Sequence, residues 1–537
     1  MDMIHYSYVV FYFNMGYRDM EEKKPFFYDI TLRDGNQALK KPWNTRQKEI
    51  IFNQLVKLGV QGIEVGFSGS SDMDFEACQH LASIAPANIV ISGLARAVEK
   101  DIIKVAEAIK QANKPRIHTF IAMSPFNMEH VLRKSPDDIR KIAIHAVKYA
   151  KSLMGEKGEV QFSVEHFGDC GENLNFVIDS LQEIVAAGAC VINLPNTVER
   201  TRPLEFVKMV KEVVNALPKD TVIAVHCHND LGMATATTVE SFFAGAKQLE
   251  CSLNGLGERA GNTNIYEVAT SLYNCGVDPN INMSAIYESA IIVAEMSDIG
   301  IYEKSPLIGP DALAHRSGIH QDGALKTKNM EKGAYRPIHP SLIGRDDNEH
   351  LGFTSQSGKT ALYEIINRTG YPITIDEAVR ILPSVKEKAE KIGELALDTI
   401  LEIYHKEIID VKGPFRLIDF KRLDSGNNEN LESYKLTFSN NGKLYDVTAE
   451  GDGPIDSCLT ALAQSGFPQK LLDYEQYALD GDIRGGAADA MTVIHFETND
   501  GNTVVCRGRD TSTAKANVKA IFNGLNIIAL AMDLEKA

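Results

Sequence analysis

Residues 26–37 read FFYDITLRDGNQ, a short apolar run that ends in an arginine, a carboxylate, a glycine and two amides. The same arrangement of short apolar run and polar end recurs along the first 300 residues. GIEVGF (62–67), NIVISGLA (88–95), RIHTFIAM (116–123), VQFSVEHF (160–167), CVINLP (190–195), TVIAVHCH (221–228) and QLECSLNG (248–255) follow it in order. Between them lie longer segments, such as TRQKEIIFNQLVKLG (45–59) and DDIRKIAIHAVKYAKSLMG (137–155), with apolar residues at helical spacing. Eight strands alternating with helices predict an α/β fold of the (β/α)8 TIM-barrel type over residues 26–300. An open doubly wound sheet fits less well, because no Gly-rich phosphate fingerprint follows the first strand.

A barrel of this kind carries its chemistry at the C-terminal ends of its strands. Three polar segments fall there: Arg33 to Gln37, His226-Cys227-His228, and Gly257-Glu258-Arg259-Ala260-Gly261-Asn262. Side chains two apart on a strand share a face, so His226 and His228 point together and Cys227 points away. Strands one and seven are separated only by strand eight, which brings Asp34 near both histidines. Two imidazoles and one carboxylate form a divalent-metal site with open positions, and Asn262 adds an oxygen. Such a site suits a ligand that chelates through a carboxylate and an adjacent carbonyl. Arg33, beside Asp34, is suited to hold a developing oxyanion. His315 and His320 in HRSGIHQDG (315–323) lie in what reads as a loop, where a histidine can serve as a general base. SQSGK (355–359) lacks the glycine spacing of a P-loop and reads as a turn leading into a helix.

Composition narrows the function further. The 537 residues carry a net charge of −16, which argues against nucleic-acid binding. No run resembles a membrane-spanning helix of about 20 apolar residues. The eight cysteines are scattered without a CxxC pair, as expected of reduced thiols in a cytoplasmic enzyme. Residues 1–25 read as an N-terminal arm, with translation expected to begin at Met20. Residues 301–425 change pattern to loop-rich and helical linker subdomains, and the acidic SGNNENLES (425–433) reads as a connector.

Residues 426–537 contain a repeat. GKLYDVTAEGDGPIDSCLTALAQ (442–464) and GNTVVCRGRDTSTAKANVKAIFN (501–523) both read strand, polar turn, helix, which predicts an α+β domain built from a duplicated β/α unit. Gly451, Gly453 and Ile455 are candidate pocket-lining positions there, since a glycine turn before a helix can bind a carboxylate with backbone amides.

Taken together, RDGNQ, HCHND, GLGERAGN and SGIHQDG resemble the metal-dependent acyl-CoA Claisen-condensing enzymes, in family order and over nearly the whole chain from residue 26. The C-terminal repeat resembles the leucine-sensing regulatory domain of that family's leucine-pathway branch. The resemblance implies condensation of acetyl-CoA with a 2-oxo acid, followed by thioester hydrolysis. It implies Asp34, His226 and His228 as ligands to zinc, manganese or magnesium, with Asn262 nearby, and potassium as an activator. Arg33 would stabilise the enolate or oxyanion and Gln37 would position the acetyl group. Glu165 and Thr197 would contact the 2-oxo acid, with His118 near the pocket. His320 would transfer a proton, from a loop that a partner subunit of a homodimer can supply. The implied substrate is 3-methyl-2-oxobutanoate and the effector leucine; pyruvate and a non-catalytic amino-acid sensor are the alternatives. Asn127 stands where many members have histidine, in a loop that shapes the pocket for the oxo-acid side chain.

Overall fold

The computed structural model describes residues 24–346, 350–423, 431–479, 489–498 and 501–534. The expected N-terminal arm, apart from Lys24 and Pro25, and most of the 425–433 connector lie outside the described residues. The chain divides into two compact units. One runs to Leu313 and resumes at Asn329; the other holds Ala314–Lys328 and the chain after residue 349.

The first unit is a closed barrel of eight parallel strands in sequence order, with β1 paired to both β2 and β8. Its strands are β1 (Phe26–Asp29), β2 (Gly62–Glu64), β3 (Val90–Arg96), β4 (Lys114–Ala122), β5 (Glu159–Glu165), β6 (Val191–Asn196), β7 (Val222–Cys227) and β8 (Gln248–Cys251). Each falls within or beside one of the eight apolar runs. The helices α1 (Thr45–Leu58), α2 (Asp72–Ile84), α3 (Glu99–Ile109), α4 (Pro136–Met154), α5 (Leu174–Ala186), α6 (Pro203–Ala216), α7 (Ala234–Phe243) and α8 (Ile265–Asn274) alternate with them, and α9 (Ile286–Ser297) follows. Local signals set several helix ends. Asn44 and Gln47 form a reciprocal capping box at the start of α1, and Gly59 ends it in the left-handed conformation at φ 80°.

The two faces of the barrel strands differ in chemistry. Outward side chains such as Ile63, Ile91, Ile117, Phe162, Leu194, Val225 and Leu249 join the buried core shared with the helices. The interior is polar: Glu64, Ser92, His118, Gln161, Ser163, Asn193, His226, Gln248 and Glu250 are all buried. At its base, Arg116 donates to Glu159, Gln161 and Gln248, and its guanidinium lies 5.6 Å from the ring centroids of Phe26 and Tyr28.

In the second unit, HRSGIHQDG departs from the expected loop. His315 ends the short strand β9 (Ala314–His315), which pairs with β10 (His350–Leu351), and His320 lies in helix α10 (Gly318–Lys326). Two glycines hide this helix, Gly318 at its first position and Gly323 inside it, where a glycine costs about 1 kcal/mol. Tertiary bonds hold it instead: the fully buried Gln321 donates to the carbonyls of His315 and Gly352 at 2.8 and 2.9 Å. SQSGK forms the expected turn into α11 (Lys359–Asn367); α12 (Ile375–Ile392) and α13 (Leu397–Tyr404) follow.

The C-terminal repeat is longer than its sequence signal. Two antiparallel sheets, β11 (Phe415–Leu423), β12 (Glu432–Asn440), β13 (Lys443–Gly451) and β14 (Lys470–Ala478), β15 (Ala490–Glu497), β16 (Thr503–Asp510), are each followed by a helix, α14 (Pro454–Gln464) and α15 (Thr513–Leu534). The sheet takes in residues 415–423, ahead of the boundary expected at 426. A register shift interrupts the first strand of each repeat, at Leu417/Asp419 and at Leu471/Asp473, which breaks the period-two pattern that would mark a strand. No helix among the described residues is long and apolar enough to cross a membrane.

Candidate active site

The site is built at the C-terminal ends of β1, β7 and β8. After β1 the chain makes a single wide π-helical turn over Thr31–Gly35 that is buried throughout, and this turn carries Arg33 and Asp34 side by side. Asp29 anchors it by accepting from the Thr31 N–H at 2.8 Å and the Thr31 hydroxyl at 2.9 Å. Burial pushes the Asp29 carboxyl up to about 7. At the end of β7, His226 and His228 turn inward together. Their Nε2 atoms lie 3.2 Å apart, and with Asp34 their ligand atoms fall within 4.8 Å of one another.

The surroundings fit a cation. His226 Nδ1 lies 3.0 Å from the Glu250 carboxylate, which fixes Nδ1 as the protonated nitrogen and leaves the Nε2 lone pair facing the site. His228 Nδ1 has no hydrogen-bond partner among the described residues, and neither has the Asn262 Oδ1. Burial, followed by the neighbouring His226, pushes the His228 imidazole down to about 3. Burial alone would raise the Asp34 carboxyl, but the Arg33 guanidinium and both histidines outweigh it and hold it well below the usual range. A neutral imidazole and an ionised carboxylate are the ligand forms a divalent metal needs.

Around this triad lies a cavity of about 210 Å³. Arg33, Asp34, His118, Glu165, Thr197, His226 and His228 line it. Asn262 is 2% exposed and donates to Asp34 Oδ2 at 2.6 Å. Burial raises the carboxyl of the partly buried Glu165. Gln37 is exposed and does not line the cavity. Asn127 is buried in the turn Asn127–Leu132 after β4, likewise outside the cavity wall. His320 is exposed on α10 of the second unit, and Gly451, Gly453 and Ile455 flank the start of α14 in the same unit.

Models of known families match three consecutive stretches. Residues 24–293 match the HMGL-like model and 311–367 the alpha-isopropylmalate synthase post-catalytic domain-like model. Residues 394–529 match the LeuA allosteric (dimerisation) domain. The 2-isopropylmalate synthase of Campylobacter hominis is 36% identical over 94% of this chain and 99% of its own length. That of Aquifex aeolicus is 32% identical over 94% and 96%. The 2-isopropylmalate synthase 2 of Leptospira interrogans is 58% identical over 70% of this chain and 88% of its own length. This chain belongs to the 2-isopropylmalate synthase family.

Several residues of this family member's site escape a motif reading. Glu64, fully buried on β2, accepts from Arg33 Nε at 2.5 Å and lies 2.6 Å from His118 Nδ1. Burial raises its carboxyl, but Arg33 and His118 outweigh that and bring it down to about 2. Arg33 Nη1 also donates to Asp34 at 2.7 Å, so the guanidinium is fixed from two sides. Glu250, fully buried on β8, accepts from Gln161, Gln248 and Asn193 at 2.7, 3.0 and 3.1 Å besides facing His226. Ser163 bridges His118 Nε2, at 2.6 Å, and Asn193 Nδ2, at 2.8 Å. A signal for these residues exists. Buried parallel strands normally read as unbroken apolar runs, whereas here Gln161-Ser163-Glu165 and Gln248-Glu250 alternate polar with apolar.

Proposed function

We propose that this chain catalyses the 2-isopropylmalate synthase reaction. Acetyl-CoA condenses with 3-methyl-2-oxobutanoate and the thioester is then hydrolysed, a step of leucine biosynthesis subject to feedback by leucine. The observation that carries this reading is a buried Asp-His-His cluster at the mouth of the barrel, in a chain similar along almost its full length to synthases of that name.

Asp34, His226 and His228 would hold a divalent metal, with Asn262 as a further oxygen close by. When bound, the metal would polarise the carbonyl of a chelating 2-oxo acid. Two histidines and a carboxylate suit zinc, and added oxygens or waters would favour manganese or magnesium. Glu165 and Thr197 hold the 2-oxo acid. The apolar side chains of Leu94, Phe120 and Pro195 on the same cavity wall suit its isopropyl group better than the methyl of pyruvate. Arg33 is held rigid by Glu64 and Asp34, so its remaining N–H groups can stabilise the oxyanion without reorganising. Gln37, exposed and outside the cavity wall, would meet the acetyl group only at the rim. His118, locked between Glu64 and Ser163, orients groups at the pocket wall. The proton transfer is assigned to His320 by resemblance alone.

The LeuA-type domain supports a homodimer with leucine as effector, bound near Gly451, Gly453 and Ile455. Potassium is assigned as an activator, to be read from turnover in potassium against sodium salts. The eight cysteines are free, in keeping with a reducing cytoplasm. Product identification tests the assignment. With methyl-labelled acetyl-CoA and 3-methyl-2-oxobutanoate, 13C NMR should show labelled 2-isopropylmalate; labelled citramalate from pyruvate as the preferred product would refute it.

A further inference from the structure

Three loops at the barrel mouth are tied together by one guanidinium. Arg259, in the loop after β8, donates from Nε and Nη2 to the two carboxylate oxygens of Asp230 at 2.7 and 2.8 Å. The same Nη2 donates to the Thr197 carbonyl at 2.6 Å. Asp230 lies two residues beyond His228 in the loop after β7, and Thr197 is the first residue after β6. The Thr197 hydroxyl in turn accepts from the His166 N–H at 3.0 Å, next to Glu165. From the other side, Glu199 accepts from the N–H groups of Leu231 and, at 2.8 Å, Met233. Arg259 and Glu199 sit at φ 57° and 49°. Such left-handed backbone persists in non-glycine residues where the surroundings over-determine it, and it clusters at functional sites.

The geometry points to Arg259 as a positioning residue whose bidentate grip on Asp230 sets the places of His228 and Thr197. This rests on the functional reading above, since it takes Thr197 as a contact of the 2-oxo acid. Arg259 itself lines the cavity, whereas Asp230 does not, so Asp230 reports on the clamp without touching a ligand. A lysine at 259 keeps the charge but cannot span a carboxylate and a carbonyl with a planar fork.

The test compares full-length Asp230→Asn, Arg259→Lys and the double variant. Mn2+ titration of metal-stripped protein reads the His228 side, and steady-state CoA release reads the Thr197 side. Each single variant should weaken Mn2+ binding about fivefold and raise KM for 3-methyl-2-oxobutanoate about tenfold, with KM for acetyl-CoA little changed, as expected for a shared bidentate pair. The double variant should be no worse than the worse single, because both break one clamp. Normal Mn2+ affinity and KM in Asp230→Asn, or effects that multiply in the double variant, would overturn the assignment. A parallel rise in both KM values with a lowered Tm would also overturn it, as general loosening. Should Asp230→Asn fail to fold, Arg259→Lys at the rim carries the same two readouts. If the unaltered protein releases no CoA with any 2-oxo acid, the functional reading fails, and Mn2+ titration alone still decides the clamp.

Discussion

Single residues decide whether this barrel can do chemistry. Asp34→Ala or His226→Ala removes one of the three converging side chains proposed to hold the metal and should cut CoA release by about 10³-fold or more while metal content falls with it. Turnover near normal in either would remove the metal assignment. Glu250→Gln tests the support behind the ligand. It removes the charge that orients His226, and metal affinity should drop about 10–100-fold by titration. Acidity should act on the metal-free protein through His228. The unfolded chain takes up this proton below 6.5, the folded chain only near 3. Stability therefore rises with pH across that window and is lost as pH falls through it, by at most about 1.4 kcal/mol per pH unit from this group. Denaturant melts of metal-stripped protein should show this slope, and His228→Gln should flatten it. The triad was legible in the sequence because ligand spacing on a strand is a strict geometric rule. Glu64 and Glu250 were not, because a lone glutamate in an apolar run carries no motif; only the alternation around it betrays the polar interior.

At the level of elements, strand and helix order was readable because each barrel strand carries a continuous outward apolar row facing a helix. Helix α10 was not, since its two glycines weaken the local signal and Gln321 supplies the missing stability from outside the helix. The strands β11 and β14 were masked by their register shifts. An element-scale prediction concerns α12. Its first turn carries Glu377, which closes a capping box with Thr374 and pairs with Arg507 of β16. Both side chains are buried, and burial lowers Arg507 to about 10, still protonated at neutral pH. Glu377→Ala strands that cation and should cost about 3–5 kcal/mol in denaturant unfolding. The double replacement Glu377→Leu with Arg507→Met should recover most of the loss. Equal stability of the single variant and the unaltered protein would show that the pair carries no load.

For the molecule as a whole, catalysis and regulation are assigned to different units. The sheet β14–β16 is not a detachable appendage of its own unit: Met491 and Val493 of β15 share a buried core with Leu362, Ile381 and Tyr404 of α11, α12 and α13. Truncating the C-terminal domain would therefore expose that core, and a point variant is the cleaner probe of feedback. A side chain added at Gly453 meets open space, and its φ of 173° is ordinary extended backbone. Gly453→Leu should raise the leucine concentration for half inhibition about tenfold, by blocking the backbone amides of the turn. An unchanged leucine response would move the effector site elsewhere.

In the proposed reaction a metal-held 2-oxo acid condenses with acetyl-CoA under leucine control. The decisive measurement is CoA release from acetyl-CoA across a panel of 2-oxo acids, with and without leucine, on protein loaded with a divalent metal. A clear preference for 3-methyl-2-oxobutanoate over pyruvate, suppressed by leucine, is expected. Preference for pyruvate, or no CoA release with any acid, would contradict it.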